Sequence, residues 1–163
     1  MNLAIDIAKA FPEFPRPAPS SIARRGENYT TEEARRVQSF FAGRNWQEID
    51  WSLLREYPGD KAACLEFMSN PAFCYYYPAF MVICLQDTND STELLHPTIS
   101  LACRVPRNLD RFDCMRATYS SAQRRLVGAF LLEVDDTYIG LYSGFPSAAG
   151  TPKEIYSKHW SDV

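Results

Sequence analysis

Histidine is scarce in this chain. His96 and His159 are the only two among 163 residues, so metal centres and acid–base sites that lean on imidazole have little to draw on. Cys-x-x-Cys is missing as well. The five cysteines (Cys64, Cys74, Cys84, Cys103 and Cys114) are odd in number and stand far apart, which suits neither a disulfide framework nor a zinc site. They read as reduced thiols in the core of a cytoplasmic protein. No phosphate-cradling glycine pattern, Gly-x-Ser-x-Gly elbow or His-Glu-x-x-His helix is present. A Cys–His dyad would have to use His96, just before Pro97, or His159, near the end of the chain. Both read as surface residues. No residue is assigned a catalytic role, and nothing calls for a metal or a cofactor.

Lysine is rare too. Only Lys9, Lys61, Lys153 and Lys158 stand among 17 basic residues, the rest being arginine. The net charge is −3 and the isoelectric point about 5.4, which argues against a general nucleic-acid binder. The longest apolar stretch, Pro71 to Leu85, is shorter than the roughly 20 residues a membrane helix needs, and it holds Pro78 and three tyrosines. No charged segment followed by an apolar run marks a secretory signal at the N-terminus.

That stretch is what the chain does have in abundance. From Phe73 to Leu85 there is no charged residue. Asn70 as cap and Pro71 in the first turn predict a helix that runs to about Gln86, where Asp87, Asn89 and Asp90 break it. Its apolar residues fall on all sides, which predicts burial on most sides, and Pro78 predicts a kink. The hydroxyls of Tyr75, Tyr76 and Tyr77 then need partners.

The other segments read as cover for this helix. Leu3, Ile7 and Phe11 give a short first helix one apolar face. Pro12, Pro15, Pro17 and Pro19 predict an extended strap over residues 12–29. Thr30 and Glu33 form a capping box for a helix that ends at Gly43. Asp50, Asp60 and Asn108 are set to cap further helices, Ser120 with Gln123 makes a second box, and Asp135-Asp136 closes the helix that follows. Gly128 offers a place for close helix approach. Residues 138–142 read as extended, aromatic and β-branched around Gly140, within an irregular stretch 137–150. Thr151-Pro152-Lys153-Glu154 opens a last helix. The expectation is an all-α, single-domain multi-helix bundle over residues 1–163, with seven to nine helices around a buried central one and at most one short strand.

The segment Phe67-Met68-Ser69-Asn70-Pro71-Ala72-Phe73-x-Tyr75-Tyr76-x-Pro78-Ala79-Phe80 resembles a group of small bacterial proteins known as a domain of unknown function. A turn from Phe40 to Trp46, and a helix from Gln123 to Phe130-Leu131, extend the likeness. The resemblance implies a bacterial, cytoplasmic protein and carries over no activity.

Two charge groups are the candidate surfaces. Asp87, Asp90, Glu93, Glu133, Asp135 and Asp136 lie at expected helix ends, where acids at a C-terminus oppose the helix dipole. Arg104, Arg107, Arg111, Arg116, Arg124 and Arg125 form a basic group. With no catalytic signature, the leading expectation is a non-enzymatic protein-binding domain, such as an immunity protein that masks the active site of an antibacterial toxin. Its partner would be that toxin or another neighbouring gene product, with no membrane involved. The first alternative is a small-ligand-binding or enzymatic helical domain with its site near Tyr75, Tyr76, His96 and a cysteine. The second is a regulatory protein using the arginines.

Overall fold

The computed structural model describes residues 2–13, 15–26, 31–86, 92–142 and 149–162. Among these residues there are nine α-helices and no strand. The helices are α1 (Leu3–Ala10), α2 (Glu32–Phe41), α3 (Trp51–Leu54), α4 (Asn70–Gln86), α5 (Thr92–Leu101), α6 (Leu109–Thr118), α7 (Ser121–Glu133), α8 (Asp135–Tyr142) and α9 (Pro152–His159). Short 3₁₀ turns lie at Pro19–Ser21, Trp46–Glu48, Lys61–Phe67 and Pro106–Asn108. One hydrophobic cluster reaches from Ile7 to Trp160.

Helix α4 is the centre of that cluster. From Ala72 to Cys84, every side chain but Tyr75 and Val82 is buried, and the helix packs against α1, α5 and α6. Its helical pattern passes through Pro78 without interruption. Proline has no N–H, so the carbonyl of Cys74, four residues back, loses its helical donor. The buried Tyr119 hydroxyl donates to that oxygen at 2.7 Å. The three central tyrosines are also satisfied. Tyr75 donates to the carbonyl of Glu13, and Tyr76 to those of Phe41 and Arg44, both at 2.8 Å. Tyr77 donates to that of Thr98 at 2.8 Å.

The chain before α4 folds across it as a strap. Ala23 and Met68 form an isolated bridge, and Ser69 N–H donates to the carbonyl of Ile22 at 2.7 Å. Upstream, Trp46 Nε1 donates to the carbonyl of Pro12 at 3.2 Å, and Arg16 donates to that of Gly43. Gly43 has a φ of 76°, the left-handed conformation that stops α2 at Phe41. At the far side, α9 packs on α7 over Gly128, where an added Cβ would stand 3.0 Å from the Tyr156 ring.

Several local expectations are corrected. Residues 138–142 are helical, the end of α8, because Tyr138 N–H continues the ladder to the carbonyl of Val134 at 2.9 Å and the Tyr138 ring is buried. Packing there overrides the extended preference of the sequence. The irregular stretch therefore begins later than residue 137, and 143–148 lie outside the described residues. Asp135 and Asp136 open α8 rather than close α7, where their charge favours the helix dipole. The cap of α2 is Thr31, whose side chain accepts from Ala34 N–H, while Thr30 lies outside the described residues. Ser69 caps α4 by accepting from Ala72 N–H at 3.3 Å, which releases Asn70. Asn108 makes no side-chain cap and instead donates to the carbonyls of Ser100 at 2.6 Å and Cys103 at 3.1 Å.

Arg111 shows what holds α6 to the base of α4. It is 2% exposed and donates to Asn70 Oδ1 at 3.0 Å, to the carbonyl of Glu66 at 2.9 Å and to that of Met68. Its guanidinium lies 5.0 Å from the centroid of the Phe73 ring. Arg111→Met keeps most of the bulk and strands these acceptors. It should lower stability by roughly 2–3 kcal/mol, read as a lower urea midpoint with an unchanged slope. A loss below about 0.5 kcal/mol would show that water replaces the guanidinium without penalty.

Candidate functional site

The register of α4 against α6 brings chemistry together. Asn70 and Cys74 lie one turn apart on α4. Arg111, Cys114 and Thr118 follow at three and four residues on α6, so each set faces the other. Asn70 meets Arg111, and the sulfurs of Cys74 and Cys114 stand 3.0 Å apart as free thiols. Cys114 Sγ is also 3.6 Å from the carbonyl of Asn70 and 3.7 Å from Thr118 Oγ1.

The pair borders a cavity of about 410 Å³. Phe11, Pro12 and Pro15 line it together with Trp46, Pro71 and Tyr75, and Cys74, Cys114, Thr118, Tyr119 and Gln123 complete the lining. The strap is fixed by Trp46 and Tyr75, and the end of α1 by Gln123, whose amide donates to the carbonyl of Ala10 at 3.0 Å. The cavity thus lies among the end of α1, the proline strap, the Trp46 turn, α4, α6 and the start of α7. Most of its lining is apolar.

The two thiols are not equivalent. Cys74 is buried, while Cys114 is half-buried. The hydrogen bond donated by Cys74 holds the Cys114 thiol below its ordinary value of 9.0, with Thr118 and the charge of Arg111 acting in the same direction. The same hydrogen bond, then burial, pushes Cys74 up. Of the two, Cys114 is the thiol held down and Cys74 the one pushed up, and Cys114 is the sulfur nearer to solvent.

Other groupings carry less. Cys103 Sγ lies 3.7 Å from His159 Nε2. Burial pushes the Cys103 thiol up and burial lowers His159, so both stay neutral and the dyad lacks a thiolate. His96 stacks on Tyr138 at 6.1 Å and lines a separate groove with Asp60, Glu66, Glu93 and Arg107. Burial lowers it, with the charge of Arg107 adding. The suggested grouping of Tyr75, Tyr76 and His96 is thus divided: Tyr75 lines the cavity by the thiols, Tyr76 is buried against Phe41, and His96 is elsewhere. Among the described residues, no group of three or more His, Cys, Asp or Glu side chains is arranged to hold a metal ion.

The basic group is dispersed into the scaffold. Arg111 is spent as described. Arg116 donates to the carbonyl of His159 at 3.2 Å and pairs with Asp162 at 3.1 Å, and Arg124 donates to the carbonyls of Arg116 and Tyr119 at 3.0 and 3.1 Å. Arg104 pairs with Asp113 at 3.7 Å, while Arg107 and Arg125 are exposed. Of the acidic group, Asp87 and Asp90 lie outside the described residues. Glu93 sits by His96, and Asp135 is buried, accepting from Lys153 N–H at 2.8 Å. Glu133 and Asp136 are exposed, close to the exposed Leu132 and Ile139.

The Cys74–Cys114 pair is the feature that reading the sequence missed, because the two lie 40 residues apart. The available signal was the polar stripe Arg111–Cys114–Thr118 on one helix facing Asn70–Cys74 on another. The asymmetry of the pair has a direct check. In the native protein at pH 7, iodoacetamide should modify Cys114 faster than Cys64, Cys84 or Cys103 by roughly tenfold or more, quantified by peptide mass spectrometry. Equal rates at all four would contradict a thiolate on Cys114.

No curated protein and no solved structure gives a match. Among the described residues no helix is long and apolar enough to cross a membrane. The likeness read from the segment around Phe67 to Phe80 has its counterpart in a family model covering most of the chain: residues 2–138 match the Family of unknown function (DUF6714), and the chain belongs to that family.

Proposed function

We propose that this protein binds a small, largely apolar molecule in the cavity beside Cys74 and Cys114. The observation that carries this reading is the cavity itself: about 410 Å³, walled mainly by rings and prolines, with two thiols, a threonine and a glutamine in its lining. Small-molecule sites are usually concave and apolar, with a few convergent polar groups and volumes of roughly 300–1,000 Å³. Trp46 in the wall supplies an intrinsic reporter. The fluorophore 1-anilinonaphthalene-8-sulfonate, an anion with a large apolar ring system, should bind the folded chain and quench Trp46. Thr118→Phe, at the exposed end of α6, should weaken that binding by about tenfold, the equivalent of about 1.4 kcal/mol, at an unchanged melting temperature. Equal binding to both proteins would place the dye elsewhere and remove this support.

A second reading keeps the protein-binding role. Leu132, Ile139 and Leu141 are 43%, 44% and 47% exposed, on the α7–α8 segment that also carries the exposed acids Glu133 and Asp136. Exposed apolar residues on a segment that also carries acids suit a basic protein surface, such as a toxin whose active site is masked. Under this reading the product of an adjacent gene co-purifies with the chain, and Glu133→Lys with Asp136→Lys slows its association by roughly tenfold. No co-purifying protein on co-expression counts against it.

A further inference from the structure

From two thiols in contact in the lining of an apolar cavity, we infer that Cys114 and Cys74 reduce small organic hydroperoxides, Cys114 as the attacking sulfur and Cys74 as the resolving one. The inference rests on the cavity as a ligand site and assigns that site its chemistry.

Three features of the geometry lead here. The sulfurs stand 3.0 Å apart, about 1 Å more than a disulfide bond of about 2.05 Å, so bond formation needs only a small approach across the α4–α6 contact. The attacking sulfur is the half-buried one, and the resolving sulfur in contact with it is buried. Around Cys114 are the Thr118 hydroxyl at 3.7 Å and the charge of Arg111, which is fixed by Asn70 and the carbonyls of Glu66 and Met68. A hydroxyl and a guanidinium near a thiolate favour the negative charge that passes from sulfur to peroxide oxygen as the O–O bond breaks.

The chemistry closes without a metal or an organic cofactor. The Cys114 thiolate attacks the terminal oxygen of R–O–O–H. An S–O bond forms, the O–O bond breaks, and the alkoxide takes a proton from solvent to leave as the alcohol. Sulfur is oxidised to the sulfenic acid while the peroxide is reduced. Cys74 then gives up its proton and attacks the Cys114 sulfur. The S–S bond forms, the S–O bond breaks, and hydroxide leaves with that proton as water. A dithiol reductant returns the pair by thiol–disulfide exchange. The walls of Phe11, Pro12, Pro15 and Trp46 select an apolar R group over hydrogen peroxide.

The test uses the full chain, reduced and freed of reductant, mixed with one equivalent of cumene hydroperoxide or hydrogen peroxide, quenched with acid and mapped by mass spectrometry. The expected result is a Cys74–Cys114 cross-link with a loss of about 2 Da, formed roughly tenfold faster with cumene hydroperoxide. Cys74→Ser, or Cys74→Ala if the serine variant does not fold, should stop at a sulfenic acid on Cys114, trapped by dimedone. Cys114→Ser should abolish the reaction. No cross-link, or a sulfenic acid trapped by dimedone on Cys74 in the Cys114→Ser protein, overturns the inference. Equal rates with both peroxides overturn the apolar substrate class. If the fluorophore binds and no cross-link forms, the peroxide chemistry falls and the ligand cavity stands. If the fluorophore does not bind while both peroxides cross-link the pair equally, the ligand cavity falls with the apolar substrate class.

Discussion

A proline in the middle of a buried helix leaves one carbonyl without its donor, and this protein is assembled around the repair. Pro78 frees the Cys74 oxygen in a place that water does not reach. An unpaired acceptor there costs about 1–3 kcal/mol, so something from another element has to supply a hydrogen. Tyr119 does so at 2.7 Å from the junction of α6 and α7. Its own burial pushes the phenol far up, so the hydroxyl stays a donor at any ordinary pH. This bond and the Cys74–Cys114 contact lie on one seam between α4 and the end of α6, which Arg111 ties at its other end.

Arginine extends the same logic. Arg111, Arg116 and Arg124 each donate to main-chain carbonyls at helix ends or in turns, where helical geometry leaves acceptors open. One planar guanidinium reaches two or three oxygens at once, which a lysine ammonium at the end of a flexible stem does less well. The arginine-over-lysine bias therefore has a structural use in this chain, and it explains why six arginines close in sequence do not make one basic face.

How far the sequence foretold this can be argued residue by residue. Helix α4 was legible because its uncharged run and its Pro71 start leave few alternatives, and the capping boxes at Ser120 and Thr151 form as their spacing implies. Local chemistry failed where a distant partner outbid it. Asn70 has the character of a cap, yet Arg111 claims its side chain and Ser69 takes the cap. Asn108 likewise turns to the carbonyls of Ser100 and Cys103. Tyr138 and Tyr142 have the propensity of a strand, but one ring stacks on His96 and the other hydroxyl donates to the carbonyl of Thr92 at 3.0 Å, contacts only a helix places correctly. The cavity was not legible at all, since its walls come from five segments spread over more than a hundred residues.

The cavity also bears on whether the thiols are ordinary core residues. A cysteine kept only for packing is best surrounded, as Cys64 and Cys84 are: each is buried, and burial pushes each thiol up, to about 12 at Cys84. Cys114 differs in every respect that matters to reactivity. It is half-buried, its neighbour donates to it, and it borders the cavity. The strap of Pro12 and Pro15 lines the same space. Tyr75 and Trp46 hold it by the carbonyls of Glu13 and Pro12, while Gln123 holds the end of α1 beside it by the carbonyl of Ala10. The side chains that fix this part of the lining are thus tied to main-chain acceptors, and the thiol pair borders the space they enclose.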